Sequence, residues 1–448
     1  MTSHPRPGSD GDRPATYRQV FASKEVAALF ASFTVSKSST MLVRVAVTFL
    51  IFRQTGSALL ATGTFAISYA PYLGPAQLLA TLADRFPYRT TMIASDVVRM
   101  VLIGLVAVVS VLPLPPHVAL PVMLLLVFLS ATVEPAYQSA RSALLPKLVE
   151  GDVLTLALSL YLTLTQSAVL AGYFLGGVIS AVDPHIALFV NAGCFAVSAL
   201  ILVTFVHRRP ADSDASQRKS LLRETAEGFA LVFGNKVLRI IALVVFTTVM
   251  FTIIPEGAAA PWAHERGGGA VLQGTIMASA PVAAILSSIV FTRFTRPALR
   301  QKLIRPLVLI APLSLIPAFF DPPSGGIILI AVVCNLTLAS IAPLNAIFVK
   351  AVPDGYRARA FSVMQSGMAL IQGIAVVATG GLTQSGLSVH ASVGTWGLAG
   401  TILVGGLLIF WPASSDFDDA VSEAQRPQVA EVPGGQAAPR PSAGGGVA

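Results

Sequence analysis

Charge is scarce in this sequence: only 12% of its 448 residues are Asp, Glu, Lys or Arg, against 54% that are apolar, whereas a soluble domain is about a quarter charged. Too few polar side chains remain to cover a water-facing surface, and the mean hydropathy of +0.73 points to lipid as the solvent. Cysteine is almost absent. Cys194 and Cys334 each sit in an apolar run without C-x-x-C spacing, which excludes a disulfide framework and gives no metal site. There is no G-x-x-x-x-G-K-[ST] loop to cradle a nucleotide phosphate, so a pump driven by ATP is excluded. The six His residues lie in tails, loops or the ends of apolar runs and form no catalytic cluster. No enzyme and no bound cofactor are expected. The first two dozen residues contain Pro5, Pro7 and Pro14 and lack the apolar core of a signal peptide.

What the chain has in abundance is long apolar runs. A helix needs roughly 20 apolar residues to cross a bilayer, and such runs occur near 26–51, 57–82, 91–112, 118–143, 153–182, 186–206, 238–262, 271–292, 303–320, 327–350, 360–384 and 392–411. The expected fold is an all-α membrane protein of about twelve transmembrane helices. Twelve crossings put both termini on one side. The net charge of +8 is distributed by topology: the tails, the linker and alternate loops hold most of the 30 Lys and Arg, while the other loops keep only Arg53 and Arg266. Because positive charge gathers on the cytoplasmic side, both termini are expected in the cytoplasm of a cell-membrane protein. The basic balance then calls for a lipid bilayer as partner and for no nucleic acid.

The polar stretch His207 to Lys236 divides the chain into halves. The expected units are a disordered N-tail at 1–19, helical bundles at 20–206 and 238–412, a linker at 207–237, and a disordered C-tail at 413–448 rich in Pro, Gly and Ala. In the linker, Leu222, Thr225, Phe229, Val232 and Phe233 fall at helical spacing among Arg218, Lys219, Arg223 and Glu224, as in a helix lying on the inner leaflet. A shift of 208 residues places Arg85-Phe86 on Arg293-Phe294, Pro135 on Pro343 and Gly172 on Gly380. Repeated halves with a substrate path between them are a common transporter plan, so the two bundles are expected to be pseudo-symmetric.

These residues resemble the major facilitator superfamily. The segment "ATLADRFPYRT", Ala80 to Thr90, is similar to the loop signature GxLADRxGRR, keeping Leu82, Ala83, Asp84, Arg85 and Arg89 but with Ala80, Pro87 and Tyr88 in place of Gly, Gly and Arg. "AGYFLGG" keeps Gly172, Gly176 and Gly177 of the antiporter signature GPxxGG and replaces its Pro with Tyr173. "SDVVR", "PAYQSARSALLPKLVEGDVL" and "NAGCFAVSALIL" are similar to the branch that includes enterobactin and macrolide exporters. The resemblance runs from about Val20 to Trp411 and implies alternating access between two rocking bundles.

Several residues carry the functional expectation. Asp84, Arg85 and Arg89 fall where a cytoplasmic turn meets two helix ends, with Asp96, Arg99 and Arg141 as candidate partners, so that carboxylate and guanidinium groups can hold an inner gate closed; the alternative is a set of interfacial anchors. Gly172 and Gly176, four apart, leave one helix face bare for close packing, with Gly177 beside them. Charges inside membrane spans are costly and usually functional. Lys37 and Arg44 are such charges in the first span and Glu134 in the fourth; Lys37 and Glu134 lie at matching depths of roughly 16 and 14 Å at 1.5 Å per residue. The resemblance implies that helices one, four, seven and ten line a central cavity, where this acid and base can meet as a proton-coupling or substrate-recognising pair, or as a plain structural one. The 208-residue shift puts Val245, Thr252 and Ala342 at the equivalent places, so coupling is expected in the first half, with Glu256 and Asn345 as further cavity residues. The expected activity is proton-driven export of amphiphilic organic molecules by a monomer, with the proton gradient as energy source; uptake by the same fold is the alternative.

Overall fold

The computed structural model describes residues 16–76, 79, 85–209, 221–353 and 356–410, with the side chains at 221–225, 291–292, 294, 297–302 and 358 left aside. Residues 80–84 with Asp84, residues 1–15 and 413–448 of the predicted tails, residues 411–412 at the end of the predicted second bundle, and the linker side chains of Arg218, Lys219, Leu222, Arg223, Glu224 and Thr225 lie outside this description. Among the described residues every regular element is helical. The first half contains α1 (Lys24–Thr55), α2 (Ala58–Ile67), α3 (Tyr88–Val111), α4 (Pro116–Leu144), α5 (Gly151–Val182) and α6 (Pro184–Phe205). The second contains α7 (Lys236–Thr252), α8 (Gly269–Phe294), α9 (Pro297–Leu313), α10 (Ser324–Leu336), α11 (Arg357–Gln384) and α12 (Val389–Ile409).

Eleven helices among the described residues are long and apolar enough to cross a bilayer. The second predicted span is the exception. There α2 ends at Ile67, and a 3-10 turn at Ala70–Leu73 contains Pro71, whose ring and missing N–H disrupt continuous α-helix. The seventh span is also broken: α7 stops at Thr252, and two short pieces, Ile254–Gly257 with Pro255 in its first turn and Ala259–Glu265, complete it. In the tenth, α10 passes through a 3-10 turn at Thr337–Ser340 before continuing as Ile341–Ala351. Pro343 clashes with the turn before it, whereas Pro135, its partner in the 208-residue shift, sits inside an unbroken α4. Non-helical backbone at membrane depth is tolerated where it faces protein or a cavity, and residues of all three breaks line the same cavity. Residues 17–20, across the edge of the predicted N-tail, instead form one helical turn fixed by a capping box between Thr16 and Gln19.

Helix α1 is 32 residues long, begins at the Ser23 cap and ends at Gly56, whose φ of 63° is left-handed and suits glycine. It is enclosed by α5 and α6, and small polar residues stitch this core together. Ser39 Oγ donates to the Asn191 carbonyl at 3.0 Å, and Ser198 Oγ donates to the Ser32 carbonyl at 3.0 Å. Such residues let helices approach closely in a medium that offers no hydrophobic drive between them. The halves meet along α5 with α8 and along α2 with α11.

The linker helix, Leu221–Gly234, packs on α11 and α7. Glu227 accepts from Arg359 Nη1 at 2.8 Å, which ties this helix to α11. At the linker's start, Glu25 accepts from Arg209 Nη2 at 3.0 Å, from Arg209 Nη1, and from the His207 backbone N–H at 2.9 Å. On the opposite face Arg266 pairs with Asp321, while His390 Nδ1 lies 3.3 Å from the same carboxylate.

Candidate functional site

The half-interface encloses a cavity of about 260 Å3, to which α1, α2, α5, α7, α10 and α11 all contribute. Helix α1 supplies Lys37, Met41 and Arg44, spaced so that they share one face. Tyr69 enters from the break after α2, Tyr173 from α5, Glu256 from the break after α7, Asn335 from α10 and Gln372 from α11. The breaks after α2 and α7 each bring one polar side chain to the centre, and the 3-10 turn after α10 brings Leu338. A continuous helix would carry these residues round by 100° per position, so the interruptions decide what the cavity contains.

Lys37 Nζ donates to Glu134 Oε1 at 2.9 Å, and Gln138 Nε2 donates to the same oxygen at 3.0 Å. The Glu134 side chain is 6% exposed and that of Lys37 18%. Helix α4 does not line the main cavity; Glu134 lies behind α1, and Lys37 reaches both spaces. The pair is therefore one wall of the cavity, with the base at the surface and the acid behind it. Arg44 and Arg99 border the same small space as Glu134, so three cations surround this carboxylate.

Arg44 has no ion pair among the described residues. Its Nη1 donates weakly to the Tyr69 hydroxyl at 3.5 Å, and its guanidinium stands over the Phe65 and Tyr69 rings at 5.7 and 5.2 Å. Its Nε is buried and lacks a hydrogen-bond acceptor. Across the cavity, Tyr173 Oη donates to Glu256 Oε2 at 3.0 Å. Tyr173, which stands where the glycine signature has proline, is thus the partner of the second-half acid.

Asn345 does not line the cavity. It is half-buried beyond the 3-10 turn of the tenth span, and the asparagine at the cavity is Asn335, before that turn. Asn335 also donates to the Ala331 carbonyl at 2.9 Å.

Asp96 and Arg99 do not occupy the turn of the predicted gate. Asp96 is fully buried and accepts from Ser36 Oγ at 2.8 Å and from Ser198 Oγ at 2.6 Å, joining α3 to α1 and α6. Arg99 donates to Ser36 Oγ at 3.3 Å and to Thr40, with its guanidinium 4.2 Å from the Phe195 ring centroid. At 8 and 11 residues into α3, they lie roughly 12 and 16 Å from its start, too deep for a surface turn. Arg141 is likewise internal, stacked 3.7 Å over the Tyr161 ring and 4.9 Å from that of Phe33. Arg89 caps α6 instead, donating to the carbonyls of Leu202 at 3.3 Å and Val203 at 2.5 Å, and Arg85 is exposed.

The glycines have separate partners. A methyl group at Gly172 would collide with the Ser38 carbonyl and stand 2.7 Å from Met41 Cβ, and one at Gly176 would be 3.1 Å from Leu42 Cα. Both permit the α1–α5 contact. Gly177 faces α8, where a methyl group would stand 2.7 Å from the Ala270 carbonyl oxygen. Gly380 of α11 lies against Leu59 and Thr62 of α2, so that Gly380, like Gly177 and unlike its 208-residue match Gly172, sits at a contact between the halves. Among the described residues, no cluster of three His, Cys, Asp or Glu could hold a metal ion.

Sequence comparison finds the multidrug efflux pump Tap of Mycolicibacterium fortuitum to be 23% identical over 395 residues, covering 87% of this chain and 96% of that protein. The fold is similar to a POT family transporter in complex with 5-aminolevulinic acid, with a TM-score of 0.66 at 16% identity over 86% of this chain and 95% of the other. It is also similar to the nucleoside transporter NupG, with a TM-score of 0.65 at 12% identity over 86% and 99%. The sequence profile of the Major Facilitator Superfamily matches residues 28–376. With eleven membrane-length helices among the described residues arranged in two halves around a central polar cavity, and with most of its length matching that profile, this chain belongs to the major facilitator superfamily of membrane transporters.

Proposed function

We propose that this chain is a proton-coupled exporter of amphiphilic organic compounds, working as a monomer in the cell membrane with both termini in the cytoplasm and no cofactor beyond the proton gradient. The observation that carries this reading is the enclosed Lys37–Glu134 pair at 2.9 Å, because Lys37 also faces the central cavity. Proton arrival at Glu134 cancels its charge, releases Lys37 and changes the cavity's electrostatics in one step. A ligand or proton shifts a two-state equilibrium only through its differential interaction with the two states. The pair provides that difference. Glu256 with Tyr173 places a second acid on the other half, so the two halves respond together to charge in the cavity.

The efflux activity of the Mycolicibacterium relative supports the outward direction. The contacts that must part during transport are those of Gly177 with α8 and Gly380 with α2, together with Ser57 Oγ donating to Gln384 Oε1 at 3.1 Å. All lie toward the face away from the linker. The test is expression in a host stripped of its own exporters, with accumulation of a compound panel compared before and after collapse of the proton gradient. Export predicts that at least one amphiphile accumulates less in expressing cells, and only while the gradient stands. Gradient-dependent increase of accumulation would establish uptake instead.

A further inference from the structure

Between α2 and α11 lies a second space, of about 520 Å3, that no function assigned above uses. Ile67 and Leu73 form one wall and Leu370, Ile374 and Val377 the other, and among the described residues no charged side chain lines it. Leu73, Leu370, Ile374 and Val377 are between 41% and 52% exposed, so the space opens sideways, toward the bilayer, and not only into the protein. It is a window with closed ends. On one side Gly380 meets Leu59 and Thr62; on the other Ser366 Oγ donates to the Tyr72 carbonyl at 3.1 Å.

Two features connect this window to the central cavity. Tyr69, at the break after α2, lines both spaces. Its hydroxyl meets Arg44, the cavity cation without an ion pair among the described residues and with a buried Nε lacking an acceptor. The other charges are engaged: Lys37 with Glu134, and Glu256 with Tyr173. The cavity alone is smaller than the roughly 300–1,000 Å3 of typical small-molecule sites, whereas cavity and window together fall within that range. The window is also unfilled by design of its small residues. A methyl group at Gly63 or Gly373 would meet nothing within 4 Å, although glycine costs helix stability relative to larger residues.

We propose that cavity and window form one site for an anionic amphiphile with a single hydrocarbon chain. Its acid group pairs with Arg44, and its chain passes Tyr69 and lies between α2 and α11 at the edge of the bilayer. Charge complementarity selects the anion, since a cationic head would be placed against a guanidinium that has no ion pair among the described residues. The uncharged walls select the chain. This inference rests on the reading of the central cavity as the substrate site.

The test uses the full chain in nanodiscs, with equilibrium dialysis of radiolabelled laurate and benzoate against protein-free nanodiscs. Benzoate carries the acid without the chain. Laurate should bind wild type more tightly than benzoate, and Arg44→Gln should weaken both by about ten-fold or more while Arg44→Lys retains them. Gly373→Leu and Gly63→Leu, at window positions where an added Cβ meets nothing within 4 Å, should weaken laurate by about ten-fold and benzoate by less than about two-fold. Gly193→Leu, another open glycine on α6, should change neither. Dodecyltrimethylammonium should fail to displace laurate. The proposal is overturned if both window variants bind laurate like wild type, if the cationic amphiphile displaces it, or if laurate binds no better than benzoate; retained benzoate binding that depends on Arg44 would then leave the central-cavity reading standing. Failure of both acids to bind, or indifference of both to Arg44→Gln, would remove the cavity reading along with the proposal.

Discussion

Lys37 and Glu134 show what a single buried charge can reveal from sequence. Each is too costly inside a membrane span to be incidental; their matching helical depth, together with the helix arrangement that the superfamily resemblance implies, pointed to a pair, and they stand 2.9 Å apart in the folded chain. Lys37→Met leaves Glu134 with Gln138 as its direct partner, and removing one member of a buried pair typically costs about 3–5 kcal/mol. The expected outcome is transport reduced by at least about ten-fold with protein still in the membrane, checked by flux normalised to membrane abundance. Unchanged flux would reduce the pair to packing. Other residues were less legible. Asn335 rather than Asn345 reaches the cavity because a 3-10 turn between them resets the helix phase, and periodicity assumes an unbroken helix. Tyr173 reads in sequence as a lost proline, and its bond to Glu256 spans 83 residues, which no local pattern encodes. Asp96 and Arg99 read as gate residues by their place in the chain, but three residues' spacing on one helix says nothing about the serines of α1 and α6 that surround them.

At the scale of helices, the glycines of α5 divide two tasks. Gly172 and Gly176 hold α1 within its own half, whereas Gly177 meets α8 across the interface between halves. Gly172→Ala should therefore act on stability: its methyl group meets backbone that cannot yield, and overpacking of this kind costs about 1–3 kcal/mol. A lowered melting temperature of the purified protein is the expected result. Gly177→Ala should act on conformation, loosening the contact with Ala270 and Gly274 and increasing reagent access from the face away from the linker to a cysteine placed at Met41. Equal access in wild type and variant would separate this contact from gating. The apolar runs gave the helices themselves, because span length is set by the bilayer. The breaks at Ser68, Ile253 and Thr337 were not legible: prolines are frequent in this chain and only some interrupt a helix, since Pro121 and Pro135 leave α4 intact whereas Pro317 lies in a 3-10 turn after α9.

For the whole molecule, two halves meeting along α5–α8 and α2–α11 make the interface the natural seat of transport, and the distribution of Lys and Arg predicts the orientation. A reporter fused after Ala448 and one inserted near Arg266 should lie on opposite sides of the membrane; finding both on one side would contradict the twelve-span arrangement. The repeat reads in sequence as a transporter plan, while which glycines meet the other half was not legible, because apolar glycine-rich sequence matches itself at several offsets and only packing places Gly177 and Gly380, but not Gly172, at a contact between halves. The central claim is that Glu134 carries the coupling proton. Its most direct test is the Glu134→Gln variant, with an exported compound loaded into proteoliposomes and flux measured both under an imposed pH gradient and as exchange without one. The account predicts that exchange persists while gradient-driven flux is lost. Gradient-driven flux at the wild-type rate at every pH would contradict it.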